Sequence, residues 1–437
     1  MTIKKLINIL AVLLLPLVFI GGSLQITTDF TDSRHVGPDE EMRYFIPEFI
    51  FENHRLPTGY ETETWGNWSY GFYPQFLGAL VSSAFMVIAS LFSNDSETLI
   101  RAARLASVLF GVIAAIFIRN TARLIFRHHK HRDAISNFAM LLFALLPQVA
   151  FLSSYTNNDI VALAGVSIIL YACVHAYVHG ARLSNAAYYA AGASVAILGY
   201  LNSYGFVLVG FVFLLAKLLS QRTKSSRLFV LKYLAISVGL TALVTLPFFI
   251  RNAILYEGDL LGVNTFRSEY LRWLAEGGFA MQSPFTGGLI SLMFNTPWVG
   301  DVLRSMTFGY FATWGRGVAS VQYWPYYIGG LVALIAAASA LRHVLRDKQK
   351  VLLIGLFVLG SALTVGLCLY YTLHIDYQPQ GRYIIYLVVP MVIGMVYGIN
   401  HLLEKLVRPR YFAPVVYGLC VAYIILCLSV AYQTLLA

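Results

Sequence analysis

The sequence predicts an all-α, polytopic membrane protein with about eleven transmembrane helices. Of its 437 residues, 58% are hydrophobic, and the mean hydropathy is +0.68. Only 12% are charged, against roughly a quarter in soluble proteins. Apolar runs of about 20 residues, the length that crosses a bilayer, recur along the chain. They lie near residues 6–26, 101–119, 134–153, 160–179, 186–201, 204–220, 229–250, 325–341, 351–372, 383–400 and 412–434.

A further apolar run, 74–93, is also long enough to cross, and the basic residues argue against it. If it does not cross and the N-terminus is cytoplasmic, 20 of the 31 basic residues but only three of the 21 acids face the cytoplasm. This distribution follows the positive-inside rule, whereas a crossing would turn the basic segments from Arg119 onward outward. We therefore expect 74–93 to lie along, or dip into, the outer membrane face, with the C-terminus extracytoplasmic. The net charge of +10 then reflects topology and does not indicate a nucleic-acid site.

The simplest domain organisation is a single transmembrane domain over residues 1–437. Two outer loops, about 27–100 and 251–324, are too long to be simple connectors, and loops of that size are usually functional. All four cysteines fall inside apolar runs without metal-type spacing, which indicates packing residues.

Carboxylates at the outer ends of two spans are candidate catalytic residues. Asp39 and Glu40 follow Pro38 in the first outer loop, where a base or a metal ligand would meet a membrane-bound substrate. The alternative is a carboxylate run that caps a short amphipathic helix. Asp159, at the outer start of the fourth span, is a second candidate, and an N-cap role is again the alternative.

Two basic residues break the inside-positive pattern. Arg251 and Arg382 stand at the outer ends of the seventh and tenth spans. Each is either an interfacial residue that reaches the headgroups or a bidentate ligand for a phosphate. His374 and Asp376 are candidate metal ligands or simply surface residues.

Aromatic residues are abundant in the outer loops. An interfacial belt explains most of them. Sugar rings also stack on aromatic side chains, so the excess is compatible with a carbohydrate site.

The motifs together resemble those of GT-C glycosyltransferases, which take sugars from polyprenyl-phosphate carriers at the outer membrane face. Protein O-mannosyltransferases, aminoarabinose transferases acting on lipid A and related bacterial envelope enzymes are members of that class. The resemblance covers most of the chain in order and spacing. It is carried by Gly-Pro-Asp-Glu at 37–40, Tyr-Pro at 73–74, Asn-Asp at 158–159, the segment 247–252, Tyr-Glu-Gly-Asp at 256–259 and Gln-Gly-Arg-Tyr at 380–383.

The resemblance implies an inverting transfer of one sugar to a glycan, lipid or protein acceptor in the plasma (inner) membrane. Asp39 would be the base, and Glu40 and Asp159 would bind metal or position the acceptor. Arg382, with Arg251 and Gln380, would hold the donor phosphate. A divalent cofactor, Mg²⁺ or Mn²⁺, would use ligands drawn from Glu40, His374 and Asp376.

Two departures from the class concern metal use and phosphate contacts. Some relatives carry a His a few residues after Asp-Glu, where this chain has Arg43-Tyr44. A Lys often follows the fifth span in relatives, where this chain has Asn202-Ser203. A transporter or flippase of a lipid-linked sugar is the main rival. Transporters usually carry ionisable residues near the bilayer midplane, whereas these spans are nearly free of charge between their ends. A non-catalytic assembly subunit is the third alternative.

Overall fold

The computed structural model describes residues 3–30, 37, 39–61, 70–221, 226–276, 285–303, 305, 313–314, 317–318, 335, 338, 345–375, 377 and 379–436. Apart from one two-residue antiparallel pair, β1 (Thr313–Trp314) with β2 (Gly317–Val318), the regular structure of these residues is helical. The all-α prediction is therefore confirmed.

The N-terminal half forms most of the buried core. Its α-helices are α1 (Ile3–Gln25), α2 (Glu40–Asn53), α3 (Leu77–Ser90), α4 (Ser96–Ile125), α5 (Arg132–Ala144), α6 (Pro147–Leu152), α7 (Asp159–His179), α8 (Leu183–Ile197) and α9 (Tyr204–Ser220). Two 3₁₀ turns, Tyr70–Phe72 and Leu201–Ser203, lie between them. Helix α7 is apolar on all sides because α4, α8 and α9 pack around it.

The C-terminal half adds longer and more exposed helices. They are α10 (Arg227–Leu234), α11 (Thr241–Leu255), α12 (Val263–Ala275), α13 (Gly288–Asn295), α14 (Lys348–His374), α15 (Val388–Leu406) and α16 (Phe412–Leu436). A π-helical turn, Ala235–Leu240, joins α10 to α11, and 3₁₀ turns Gly381–Leu387 and Pro409–Tyr411 precede α15 and α16. Helix α14 packs against α9 and so joins the two halves.

Eight helices of the described residues are long and apolar enough to cross a membrane, so this is a multi-pass membrane protein. Two further predicted spans are helical but shorter or interrupted: 134–153 divides into α5 and α6, and 186–201 forms the 15-residue α8. The remaining one, 325–341, lies almost wholly outside the described residues. The count of eleven stays a prediction.

The ambiguous run 74–93 forms the 14-residue helix α3. At 1.5 Å per residue this helix is about 20 Å long, short of the ~30 Å hydrocarbon core. It packs against α2 and α4, and the hydroxyl of Ser82 donates to the carbonyl of Ala103 at 2.9 Å. Its length agrees with a segment that stays on one face of the membrane.

Polar contacts gather the helix ends into two groups. The predicted cytoplasmic ends meet through four pairs: Tyr177 with Asp347, Lys217 with Gln349, Arg127 with the carbonyl of Val178, and His129 with Glu404. The predicted outer ends meet through Asp39 with Arg382 and Asp159 with Tyr386. The grouping agrees with the sidedness deduced from charge.

Candidate active site

A fully buried ion pair fixes the start of α2. The guanidinium of Arg104, in α4, donates to both carboxylate oxygens of Glu40 at 2.8 and 3.0 Å, and neither side chain has solvent-exposed surface. Arg104 also donates to the carbonyl of Ser23, in the last turn of α1, and to those of Ile26 and Thr27, which follow that helix. Glu40 in turn accepts the N–H of Thr156 at 3.0 Å. The pair ties together α1, α2, α4 and the turn before Asp159.

Asp39 stands next to Glu40 but points elsewhere. Its backbone is in the left-handed region at φ 58° and ψ 15°, which Asp and Asn tolerate better than most residues. Asp39 occupies the N-cap position of α2, yet its side chain makes no capping hydrogen bond. Instead it forms an ion pair with Arg382, 343 residues away in the chain, and keeps 38% of its side chain exposed. Strained backbone of this kind is common at functional sites.

Arg382 lies in the 3₁₀ turn that leads into α15. Its Nη2 donates to Asp39 and lies 3.4 Å from the hydroxyl of Tyr383. Its Nε is buried and has no hydrogen-bond partner among the described residues. Buried donors without a partner are uncommon in proteins, and they occur where a functional group, a water or an ion is expected. Nη1 of Arg251 and of Arg101 are in the same state among the described residues.

Asp159 begins α7 beside this pair and is 6% exposed. The hydroxyl of Tyr386 donates to its Oδ1 at 3.1 Å. The capping bond at this helix start is made instead by Asn157, whose Oδ1 accepts the N–H of Ile160 at 3.0 Å. The N-cap alternative for Asp159 is therefore not supported, since another side chain makes that contact.

Sequence reasoning gave no role to Arg43, which completes the charged cluster. Arg43 is buried on α2, and its guanidinium lies 3.8 Å from the ring centroid of Tyr70 and 5.5 Å from that of Tyr200. Burial lowers the pKa of Arg43, but the polar and charged groups around it, including the carboxylates of Asp159 and Asp39, outweigh burial and raise the pKa overall. Burial also raises the pKa of Tyr70 to about 12, so this phenol stays neutral. The only signal in the sequence was Arg43 standing near the position where relatives have His.

A cavity of about 490 Å³ opens next to this cluster. Tyr70, Tyr200 and Tyr383 contribute to its wall, and each of their ring centroids lies within 5.5 Å of the guanidinium carbon of Arg43 or Arg382. Small-molecule sites typically have volumes of about 300–1,000 Å³. The cavity is therefore large enough to hold a substrate group beside the two arginines.

Arg251 holds the first outer loop. Its Nη2 donates to the carbonyls of Pro57 at 2.6 Å and Leu56 at 3.3 Å, and the neighbouring Asn252 donates to the carbonyl of Phe72 at 2.7 Å. Among the described contacts, none joins Arg251 to Asp39, Asp159 or Arg382. This placement favours a role in loop position over direct phosphate binding.

Of the three predicted metal ligands, the structure describes Glu40 and His374, and each of these has another partner. Glu40 is occupied by Arg104, His374 is exposed at the end of α14 with its ring 4.6 Å from that of Tyr370, and Asp376 lies outside the described residues. Within the described part of the chain, no three His, Cys, Asp or Glu side chains cluster as metal ligands. Asp39 and Glu40 each form an ion pair with an arginine, Asp39 with Arg382 and Glu40 with Arg104. Gln380, the third predicted phosphate ligand, directly precedes the 3₁₀ turn that contains Arg382. The N–H of the next residue, Gly381, donates to the hydroxyl oxygen of Ser305 at 3.0 Å.

No family model and no curated protein sequence matches this chain. Its fold is similar to that of ArnT from Cupriavidus metallidurans bound to undecaprenyl phosphate, with a TM-score of 0.53 and 14% identity over 99% of this chain and 72% of ArnT. The oligosaccharyltransferase AglB from Archaeoglobus fulgidus, in complex with an inhibitory peptide and a dolichol-phosphate, gives a TM-score of 0.55 at 15% identity, covering 99% of this chain.

A complex of the Archaeoglobus fulgidus oligosaccharyltransferase with Zn and sulfate gives a TM-score of 0.53 at 15% identity. This chain spans just over half of the oligosaccharyltransferase, 53% and 56% in the two complexes. At these identities the likeness establishes the fold. The chain therefore shares the membrane-protein fold of ArnT and of the oligosaccharyltransferase.

Proposed function

We propose that this protein is an inverting membrane glycosyltransferase that moves a sugar from a polyprenyl-phosphate carrier to an acceptor at the extracytoplasmic face. The observation that carries the proposal is the ion pair between Asp39 and Arg382, with Asp159 and Arg43 beside it. The pair brings a carboxylate and a guanidinium together at one end of a membrane domain, the two groups that the proposed reaction requires. Neighbours of the same fold bind undecaprenyl phosphate or dolichol-phosphate, which supports a lipid phosphate as the donor group.

In the proposed reaction, an acceptor hydroxyl attacks the anomeric carbon from the face opposite the phosphate. A new carbon–oxygen bond to the acceptor forms while the bond to the phosphate oxygen breaks. Asp39 takes the hydroxyl proton, and polyprenyl phosphate leaves against the guanidinium of Arg382. Phosphate is a good leaving group, so the main tasks are positioning, deprotonation and charge neutralisation.

Exposure favours Asp39 as the base. Asp39 keeps 38% of its side chain accessible, whereas Glu40 is fully buried and Asp159 is 6% exposed. An acceptor can reach Asp39 directly. We assign Asp159 to positioning through Tyr386, and Glu40 to holding α2 in place.

In the proposed reaction, two arginines of the described residues supply positive charge next to the carboxylates. Arg43 and Arg382 both attract Asp39 and Asp159, and Arg382 is also the proposed phosphate ligand. One neighbour of this fold contains Zn, so addition of divalent ions belongs in any assay.

The transporter or flippase alternative is less well supported. Transporters usually carry ionisable residues near the middle of the bilayer. The members of the described charged cluster lie instead at helix ends and in turns. Radiolabelled sugar transfer by the purified protein, from a panel of polyprenyl-phosphate sugars, separates the two functions. Translocation without transfer would contradict the proposal.

We expect Arg382→Lys to weaken donor use. Lysine keeps the charge but cannot make two parallel hydrogen bonds to phosphate. Loss of one charged hydrogen bond is worth about 1.5–3 kcal/mol, which raises the donor KM roughly 10- to 100-fold. Equilibrium binding of bare polyprenyl phosphate should weaken in parallel.

Arg251→Lys is the matched control for Arg382→Lys. Its guanidinium holds backbone carbonyls, so the donor KM should stay near the wild-type value. Equal effects of the two substitutions would remove the special role proposed for Arg382.

The proposed orientation places the basic end in the cytoplasm, by the positive-inside rule. Single cysteines at Gln349 and Asn94, both exposed, test it. An impermeant thiol reagent applied to intact cells should label Asn94→Cys and leave Gln349→Cys unlabelled, and the four native cysteines are buried. Labelling at 349 would reverse the orientation, and protection at 94 would mean that α3 crosses.

A further inference from the structure

We propose that the 490 Å³ cavity beside Arg43 and Arg382 holds the sugar ring of the donor and selects an uncharged sugar. This inference rests on the proposed glycosyltransferase function and adds the substrate class. It follows from the position of the cavity, the rings that line it and the charges that its described wall lacks.

The position of the cavity suits a group attached to the donor phosphate. Tyr383 contributes to its wall, and the hydroxyl of Tyr383 lies 3.4 Å from the Nη2 atom of Arg382 that contacts Asp39. Tyr70 lines the cavity as well, with Arg43 3.8 Å from its ring centroid. A phosphate held by Arg382 would therefore have its sugar at the entrance of this cavity.

The wall has the composition of a sugar site. Six tyrosines line it, together with the amides of Gln75, Asn202 and Asn264. The tyrosines are Tyr70, Tyr73, Tyr200, Tyr370, Tyr371 and Tyr383. Aromatic faces pack against the C–H surface of a sugar, while phenols and amides offer donors and acceptors to its hydroxyls.

Charge defines the selectivity. No Lys, Arg or His is among the residues that line the described cavity, and its one charged residue is Asp259. One oxygen of Asp259 already accepts the N–H of Thr265 at 2.8 Å and its hydroxyl at 3.0 Å. A sugar carboxylate placed here would find no cation among the lining side chains and would lie near the carboxylate of Asp259, which is costly. A hexose carries no such charge.

Equilibrium binding tests the cavity without requiring turnover. Three ligands are compared on the full-length protein in detergent: bare polyprenyl phosphate, the same lipid carrying a neutral hexose, and the lipid carrying the corresponding uronic acid. We expect the hexosyl lipid to bind about tenfold more tightly than the uronosyl lipid, because only the former avoids placing a second carboxylate near Asp259 with no cation in the lining. Equal binding of the two would overturn the selectivity.

Variants at Tyr371 then locate the sugar. Tyr371 lines the cavity and stacks on Tyr383 with 6.2 Å between ring centroids. Tyr371→Ala should weaken binding of the hexosyl lipid about tenfold through loss of the aromatic face, with binding of the bare lipid unchanged. Tyr371→Phe keeps the ring and should retain most of the affinity.

Asn264→Trp provides a second test that does not disturb the core. Asn264 is exposed and lines the cavity, so the larger side chain should exclude the sugar without unfolding the protein. Loss of bare-lipid binding in both variants, or no change in either, would overturn the proposal, since the cavity would then hold the lipid or nothing. If hexosyl selectivity is present but no sugar is transferred, the proposed enzymatic function fails while the cavity assignment stands.

Discussion

Asp39→Asn is expected to reduce kcat by about 10²-fold or more, the usual contribution of a general base. Asparagine tolerates the left-handed backbone that Asp39 adopts, and its amide oxygen can still accept from Arg382. It cannot take a proton from the acceptor. Single-turnover transfer by the purified variant, with binding of bare polyprenyl phosphate as the check on folding, measures the loss.

Two further substitutions distinguish the base from its neighbours. Asp159→Asn should lower activity less than Asp39→Asn, because Asp159 is buried against Tyr386. Glu40→Gln should mainly reduce stability, since it removes the charge that partners Arg104. Normal turnover by Asp39→Asn, with Asp159→Asn inactive, would move the role of base to Asp159. A dependence on divalent ions confined to Glu40→Gln would mark Glu40 as a metal ligand.

Arg104→Met is expected to reduce the free energy of unfolding by about 3–5 kcal/mol, the cost of leaving one member of a buried ion pair without its partner. The substitution strands the carboxylate of Glu40 and also removes the donors to three carbonyls at the end of α1. Unfolding followed by circular dichroism in mixed detergent micelles measures the change.

Arg101→Met is the matched control, because Arg101 lies three residues earlier in α4 and also pairs with a glutamate. The side chains of Arg101 and Glu97 are 31% and 61% exposed, whereas those of Arg104 and Glu40 are both 0% exposed. An exposed pair contributes about 0–1 kcal/mol, so this variant should remain close to wild type. A similar loss in both variants would show that burial does not set the importance of the Arg104 pair.

The sequence by itself determined the fold class, the positions of most spans and the grouping of helix ends. Each of these depends on quantities that add along the chain: hydropathy over about 20 residues, and the count of basic residues between spans. Asp39, Asp159 and Arg382 were found in the same way, as charged residues at the outer ends of apolar runs. The polar contacts of the structure place these three residues together.

Only the tertiary structure decided what the individual side chains do. Asp39 and Glu40 are adjacent and chemically alike, yet the left-handed turn directs one toward Arg382 and the other into a buried pair with Arg104. Arg382 and Arg251 looked equivalent as outer arginines, but one contacts the carboxylate and the other holds loop carbonyls. These partners lie 64 to 343 residues apart in the chain. Local sequence contains no information on such distances, because they are set by how the helices pack.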